Sequence, residues 1–264
     1  MIITASLLAA LATGIAVLSY RYPWWRPSLP ADEPRILCYH MIDDREKSAR
    51  APRLAVSPAQ FERQVRYLAR KGWRFVTMSE LTGSPLQAKT VALTFDDGYR
   101  DNLTQAAPIL KRHGACGTVY VIANRQAPLA GGGYDDGTPF APLLTDGELK
   151  EMAETGVLEI GSHTVSHLDL SKSDDERIIS ELTRSREILE KISGAPVRSF
   201  AYPYGAFADR LTPMVEAAGY DNAVRGGAPL GDLSVDRYRL GRIRISGKDN
   251  LLNFVMKIEK GRKR

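Results

Sequence analysis

The sequence predicts an α/β fold, a closed or nearly closed barrel of about seven parallel strands joined by crossover helices. Three observations carry that expectation. Short apolar runs alternate with segments of helical period from Arg35 to Ile258. Seven or eight such units in about 230 residues suit a barrel better than a small open sheet. The polar motifs sit where the apolar runs end, which is the side of such barrels that carries chemistry.

The elements follow in chain order. Arg35-Ile36-Leu37-Cys38-Tyr39-His40 is a short apolar run and reads as a buried strand. Ser57-Pro58 opens a helix as N-cap and first-turn proline. Phe61, Val65 and Leu68 then repeat at helical spacing, and Gly72 ends the helix. Residues 73–77 read as a strand, and Thr90 to Phe95 as a strand running into Asp96-Asp97-Gly98. A helix is expected from Tyr99 to His113, closed by Gly114, then a β-branched strand over 117–123. Residues 124–144 hold four glycines and three prolines, a length of loop that is usually functional or mobile. Thr145-Asp146-Gly147-Glu148 starts a helix with a capping-box pattern. A strand over 157–160 leads into Gly161-Ser162-His163, and 174–193 is a long amphipathic helix. Ser199 to Tyr202 is a strand ending at Pro203. A helix over 207–218, strands near Ala223 and over 240–245, and a helix over 250–258 complete the chain.

Composition narrows the classes. With 264 residues, 44% hydrophobic and 25% charged, the chain is not disordered. Two cysteines make neither a disulfide framework nor a four-cysteine zinc site. Of the net charge of +5, the last eight residues supply +4, through Lys257, Lys260, Arg262, Lys263 and Arg264 against Glu259. The body is thus nearly neutral. It shows no basic face interleaved with aromatics, so no nucleic-acid partner is expected.

Met1 to Tyr20 carries no charge and is long enough to span a bilayer as a helix. Four aromatics and two arginines follow within Tyr20 to Arg26, at the position of a headgroup belt. Pro23, Pro27, Pro30 and Pro34 make the next stretch stiff and extended. The expected organisation is therefore a transmembrane anchor over 1–20, a Pro/aromatic linker over 21–34, one domain over 35–258 and a basic tail over 259–264. A cleaved signal peptide is the competing reading. It fits less well, because the positive n-region is missing and Ala10 to Ala12 comes early for a cleavage site. The flanking arginines favour a cytoplasmic domain.

Two of the four histidines, His163 and His167, lie four residues apart. On a helical turn, or in a tight loop, that spacing brings both imidazoles together. Two imidazoles, a carboxylate and an open position make a catalytic divalent-metal site. Alone, the pair could equally be surface or capping histidines. Asp96 and Asp97 end an apolar strand side by side, where a cation or hydrogen bonds must offset their repulsion. One can bind the metal while the other takes a proton. The bland alternative is an Asp-Gly turn. In Tyr202-Pro203-Tyr204-Gly205, proline and glycine fix an unusual backbone path that can present a main-chain N–H to an oxyanion. His113 ends a helix and reads as structural. Cys38 and Cys116 read as buried thiols.

In that order, Thr94-Phe95-Asp96-Asp97-Gly98, His163-Thr-x-x-His167 and Tyr202-Pro203-Tyr204-Gly205 resemble the NodB-type polysaccharide deacetylases. The resemblance covers roughly Ile36 to Ile258. It implies a distorted (β/α) barrel and a hydrolase that removes N-acetyl, sometimes O-acetyl, groups from sugars. It implies Asp97, His163 and His167 as ligands of one divalent metal ion, zinc first, with cobalt, nickel or iron as alternatives. It implies Asp96 as general base and the Tyr204 main-chain N–H as oxyanion donor.

Two features depart from the common family pattern. Ala201 stands where an Arg is usual, and no histidine follows His167. The subgroup of biofilm poly-N-acetylglucosamine deacetylases looks rearranged in this respect, with an early Tyr-His and a late-strand Arg. Tyr39-His40 and Gly241-Arg242-Ile243 look like those features, which implies His40 as general acid and Arg242 as the residue orienting Asp96. The expected partners are an N-acetylated envelope glycan and, through the N-terminal segment, the bacterial inner membrane. The resemblance favours an extracytoplasmic domain, against the charge rule. A carbohydrate-binding protein with a decayed site is the second functional reading.

Overall fold

The computed structural model describes residues 11–16, 19, 24–44, 52–83, 85, 87–126, 141–227, 233 and 237–261. The strands are β1 (Arg35–Tyr39), β2 (Arg74–Val76), β3 (Thr90–Phe95), β4 (Gly117–Val121), β5 (Leu158–Ser162), β6 (Ser199–Ala201), β7 (Asn222–Val224) and β8 (Ile243–Arg244). Seven of them lie side by side in the order β7-β6-β5-β4-β3-β1-β8, and β2 pairs with β3. Every pairing is parallel. Leu240 adds an isolated parallel bridge to Val224. Its N–H donates to Ala223 O at 3.0 Å, and its carbonyl accepts from Arg225 N at 2.8 Å. The segment from Leu240 to Arg244 therefore meets β7 at one end and β1 at the other, and links the two edges of the sheet. The barrel is distorted because the staves on that side are short.

Side-chain alternation assigns the two faces of this sheet. Leu37, Tyr39, Val91, Leu93, Phe95, Val119, Val121, Ile160 and Phe200 point outward into a core shared with Phe61, Val65 and Leu68. Ile36, Ala92, Tyr120, Ala201, Val224 and Leu240 fill the interior. Fully burying one such large side chain stabilises the fold by roughly 1.5–3 kcal/mol. Gly161 is required by this interior. A Cβ there would stand 2.5 Å from the Tyr120 ring and 3.1 Å from Ser199 O.

The helices are α1 (Pro58–Arg70), α2 (Met78–Gly83), α3 (Ala107–Arg112), α4 (Asp146–Glu154), α5 (Asp175–Ser193), α6 (Leu211–Ala217) and α7 (Leu251–Lys260). Ser57, Asp174 and Asn250 cap α1, α5 and α7 through their side chains. Thr145 and Glu148 form the expected capping box on α4. Three differences from the sequence reading have physical causes. The helix expected from Tyr99 to His113 is a π-helical turn, Asn102–Ala106, followed by α3. Ala107 N–H reaches back to Asn102 O one residue before Pro108, which has no N–H to continue the ladder. The helix expected from Phe207 begins only at Leu211, and Phe207 instead packs edge-on to the Tyr202 ring at 5.4 Å. Helix α2 was not expected. It closes the N-terminal end of the barrel, where Met78 and Leu81 join the interior cluster. The Glu159 carboxylate accepts from Met78 N at 3.0 Å, Ser79 N at 3.3 Å and Thr118 Oγ1 at 2.6 Å.

Among the described residues no helix is long and apolar enough to cross a membrane. Of the expected anchor over 1–20, only residues 11–16 and 19 are described, so that expectation falls largely outside them. The same holds for 127–140 in the long loop and for Arg262 to Arg264 in the basic tail. The linker packs on the last helix, with Leu29 N donating to Glu259 O at 2.8 Å. That helix runs to Lys260, so the first two residues of the expected tail are helical.

Candidate active site

The site lies at the C-terminal end of the barrel. Asp96 continues the inward set of Ala92 and Thr94, and its N–H donates to Tyr39 O at 3.0 Å. By the same alternation Asp97 would face outward. It does not, because Asp97 has φ +74° and Gly98 φ +73°, and the left-handed turn swings the second carboxylate back to the first. Asp97 Oδ1 lies 3.5 Å from His163 Nε2 and 3.4 Å from His167 Nε2. All three side chains are buried.

His163 follows β5 directly, with its N–H on Val121 O at 2.9 Å. The turn that brings His167 back to it is not helical. Thr164 and His167 both have positive φ, 67° and 61°. Glu181 of α5 holds this loop, accepting from Val165 N at 2.8 Å, Ser166 N at 3.0 Å and Ser166 Oγ at 2.8 Å. Of the two routes to convergence left open by the spacing, the tight loop is the one taken. Four of the five non-glycine residues with positive φ among the described residues, Asp97, Thr164, His167 and Tyr204, belong to this site. Such conformations cost about 1–3 kcal/mol each and persist where the surroundings over-determine them.

These residues fit a divalent cation. His163 Nδ1 donates to Ala201 O at 2.8 Å, so in the neutral ring Nε2 is a bare lone pair. That lone pair faces the Asp97 carboxylate. Ligand bonds of about 2.0–2.1 Å in tetrahedral geometry place neighbouring donor atoms about 3.3 Å apart, close to the separations here. His167 Nδ1 lies 3.1 Å from Tyr204 Oη.

Asp96 has a different environment. Arg242 grips it with two parallel bonds, Nη1 to Oδ1 and Nη2 to Oδ2, both 2.7 Å, and also donates to Thr94 Oγ1 at 3.1 Å. Arg242 is buried, under the alternation that places Leu240 inward. Burial raises the Asp96 carboxyl, but the Arg242 charge, with His163 and His40, outweighs it and brings the pKa to about 2. Cys38 Sγ lies 3.5 Å from Asp96 Oδ2, and burial pushes its thiol up to about 12. His40 completes this group, since a ring nitrogen of His40, Cys38 Sγ and an Asp96 oxygen all lie within 4.8 Å of one another. Its Nδ1 is buried without a hydrogen-bond partner. Burial lowers the His40 pKa against the opposing charges of Asp97 and Asp96. Asn102 of the π-turn fixes the His40 backbone, donating from Nδ2 to His40 O at 2.9 Å.

Tyr204 has φ +61°, and the following Gly205 has φ +66°. A Cβ on Gly205 would fall 2.5 Å from Gly226 N, so only glycine allows the two backbone segments to pass. Seven residues singled out by the sequence are thus gathered at one end of the barrel: His40, Asp96, Asp97, His163, His167, Tyr204 and Arg242. Sequence reasoning missed Glu181, Asn102 and the part played by the Tyr204 hydroxyl. His113 stands apart, paired with Glu62 at 3.2 Å.

Comparison with known proteins agrees with this geometry. The family model for polysaccharide deacetylase matches residues 83–223. YxkH of Bacillus subtilis, whose name places it among polysaccharide deacetylases, is 29% identical over 228 residues, covering 84% of this chain and 75% of that protein. Poly-β-1,6-N-acetyl-D-glucosamine N-deacetylases of Staphylococcus aureus are 28% identical over 177 residues. That match covers 62% of this chain and 59% of theirs, so the chain spans less than two thirds of their length. Among solved structures, a Bacillus cereus polysaccharide deacetylase superposes with a TM-score of 0.72 at 27% identity, covering 88% of this chain and 69% of that one. The Streptococcus pyogenes deacetylase PplD, solved with acetate, gives 0.69 at 26%, covering 89% and 99%.

Proposed function

We propose that this chain, which belongs to the polysaccharide deacetylase family, removes N-acetyl groups from an N-acetylated hexosamine in a bacterial envelope glycan. The observation that carries the reading is the division of labour between adjacent carboxylates. Asp97 faces two imidazoles at 3.4–3.5 Å, whereas Asp96 is held ionised by Arg242. In this reading Asp97, His163 and His167 hold one divalent ion, zinc first, with cobalt, nickel or iron also suited to such donors. When bound, the ion lowers the pKa of water towards neutrality and polarises a carbonyl oxygen.

The chain's own residues do the rest. Asp96 accepts the proton of the water that adds to the acetamide carbonyl. Its low proton affinity favours passing that proton on rather than keeping it. The main-chain N–H of Tyr204 donates to the developing oxyanion. His40, whose ring lies beside Asp96, delivers a proton to the sugar nitrogen as the C–N bond breaks. Acetate and a free amine leave. Arg242 takes the place of the Arg that the common pattern would put at Ala201, which weighs against the decayed-site reading.

The uncharged residues 1–20 and the following Trp and Arg residues support an inner-membrane tether. A polymer or lipid-linked saccharide at the envelope is the substrate that suits such a tether. The test is acetate release from N-acetylglucosamine oligomers of β-1,6 and β-1,4 linkage, by metal-stripped protein with and without added Zn²⁺, Co²⁺ or Ni²⁺. Metal-dependent release supports the reading. Sugar binding without acetate release under every metal would leave the decayed carbohydrate-binding protein.

A further inference from the structure

We infer that the Tyr204 hydroxyl is a positioning group for the metal centre, fixing both the tautomer and the backbone of His167 and so setting how tightly the ion is held. This rests on the metal-site reading above and goes beyond it, because the oxyanion role of Tyr204 needs only its main-chain N–H.

Only one arrangement lets the hydroxyl bond both groups of His167 at once. Tyr204 Oη is 3.2 Å from His167 O, a carbonyl that can only accept, so the O–H proton is directed there. The same oxygen is 3.1 Å from His167 Nδ1. With its own proton committed, Oη can only accept from that nitrogen, so Nδ1 carries the hydrogen. Nε2 is then a bare lone pair, and it faces Asp97 Oδ1 at 3.4 Å. His163 reaches the same state by a different partner, the Ala201 carbonyl at 2.8 Å. One short segment, Ala201 to Tyr204, therefore orients both imidazoles. A ligating histidine whose other nitrogen is fixed in this way binds metal more tightly, and losing such a partner costs about 10–100-fold in affinity.

The hydroxyl also ties down backbone. His167 has φ +61° and Tyr204 has φ +61°, and each is a residue that would relax if released. The Oη bond to His167 O joins the two strained residues directly. The rings meet edge to face at 4.7 Å, and Tyr204 is 53% exposed, so the hydroxyl can be deleted without leaving a buried hole.

The experiment compares the full chain with Tyr204→Phe, which keeps the ring and the main-chain N–H. Zn²⁺ affinity is measured by competition with a chromophoric chelator, the visible spectrum of the Co²⁺ form is recorded, and the melting temperature of the metal-free protein is taken. The expected result is Zn²⁺ affinity lower by about 10–100-fold and a changed Co²⁺ spectrum, with the metal-free melting point moved little. Equal Zn²⁺ affinity and an unchanged Co²⁺ spectrum would overturn the inference, as would a lowered metal-free melting point with metal affinity intact, which marks a structural bond only. Failure of the wild-type chain to bind any of these metals would instead sink the metal-site reading itself.

Discussion

Arg242 and Asp96 meet as two parallel hydrogen bonds of 2.7 Å, across a sequence separation of 146 residues. Both side chains are buried, so the pair holds a charge in place rather than decorating a surface. Breaking one partner of such a pair is costly, about 3–5 kcal/mol.

The first prediction follows from the sign of that interaction. Burial raises the Asp96 carboxyl and Arg242 brings it down to about 2. Arg242→Met removes the strongest opposition to burial and leaves only His163 and His40 against it, so the Asp96 pKa rises. The ascending limb of kcat/KM against pH should move to higher pH, and activity at neutral pH should fall. An acid limb that stays in place, in a variant shown to be folded by circular dichroism, would remove Arg242 from this role.

Asp96→Asn should separate chemistry from metal binding. The amide keeps the size of the side chain but cannot take a proton. Acetate release should drop by at least about 10²-fold with metal content near wild type. Turnover at the wild-type rate would show that the proton goes elsewhere.

His163→Ala removes one of the two imidazoles that face Asp97. Metal content measured by mass spectrometry should fall well below one ion per chain, and activity with it, while the fold survives. Stoichiometric metal in this variant is the outcome that contradicts the ligand set.

His40→Ala should hydrolyse an activated acetate ester better than an acetamide, relative to wild type. A phenolate leaves without help, whereas a sugar amine needs a proton. Equal losses on both substrates would make His40 a structural residue of the loop held by Asn102.

Away from the chemistry, Glu159→Ala should destabilise the protein. It strips the acceptor from Ser79 N and Thr118 Oγ1 at the closed end of the barrel and leaves Met78 N with Thr118 Oγ1 alone. Leaving buried donors unsatisfied costs about 1–3 kcal/mol, read as a lower midpoint in urea.

Where local chemistry decided the outcome, it was legible in the sequence. Ser57-Pro58, Thr145 with Glu148, and Asn250 marked helix starts because a side-chain oxygen three residues from a free N–H needs no tertiary partner. The apolar run around Cys38 likewise marked it as a buried thiol, whereas His40 and Arg242 were singled out only by the family resemblance. Positions set by the tertiary frame were not legible. The return of Asp97 into the site depends on a left-handed backbone that Gly98 permits but does not require. Glu181 reads as one more charge on an amphipathic helix, yet it is buried and organises the loop between His163 and His167. Helix α2 has no apolar stripe long enough to register, and it exists because the barrel end must be filled. The π-turn at Asn102 was missed because one helix was expected from Tyr99 to His113, straight through Pro108, where the ladder has to change.

The joint between the last and the seventh strand has its own consequence. Leu240 fastens the ring to β7 through two backbone bonds, and two residues later Arg242 holds the carboxylate proposed as the base. Opening of this clasp would loosen the grip of Arg242 on Asp96 without disturbing the pairing of β3, β4 and β5. If the segment opens on its own, exchange at the Leu240 and Arg225 amides should outpace exchange in those central strands, which hydrogen exchange read by mass spectrometry checks.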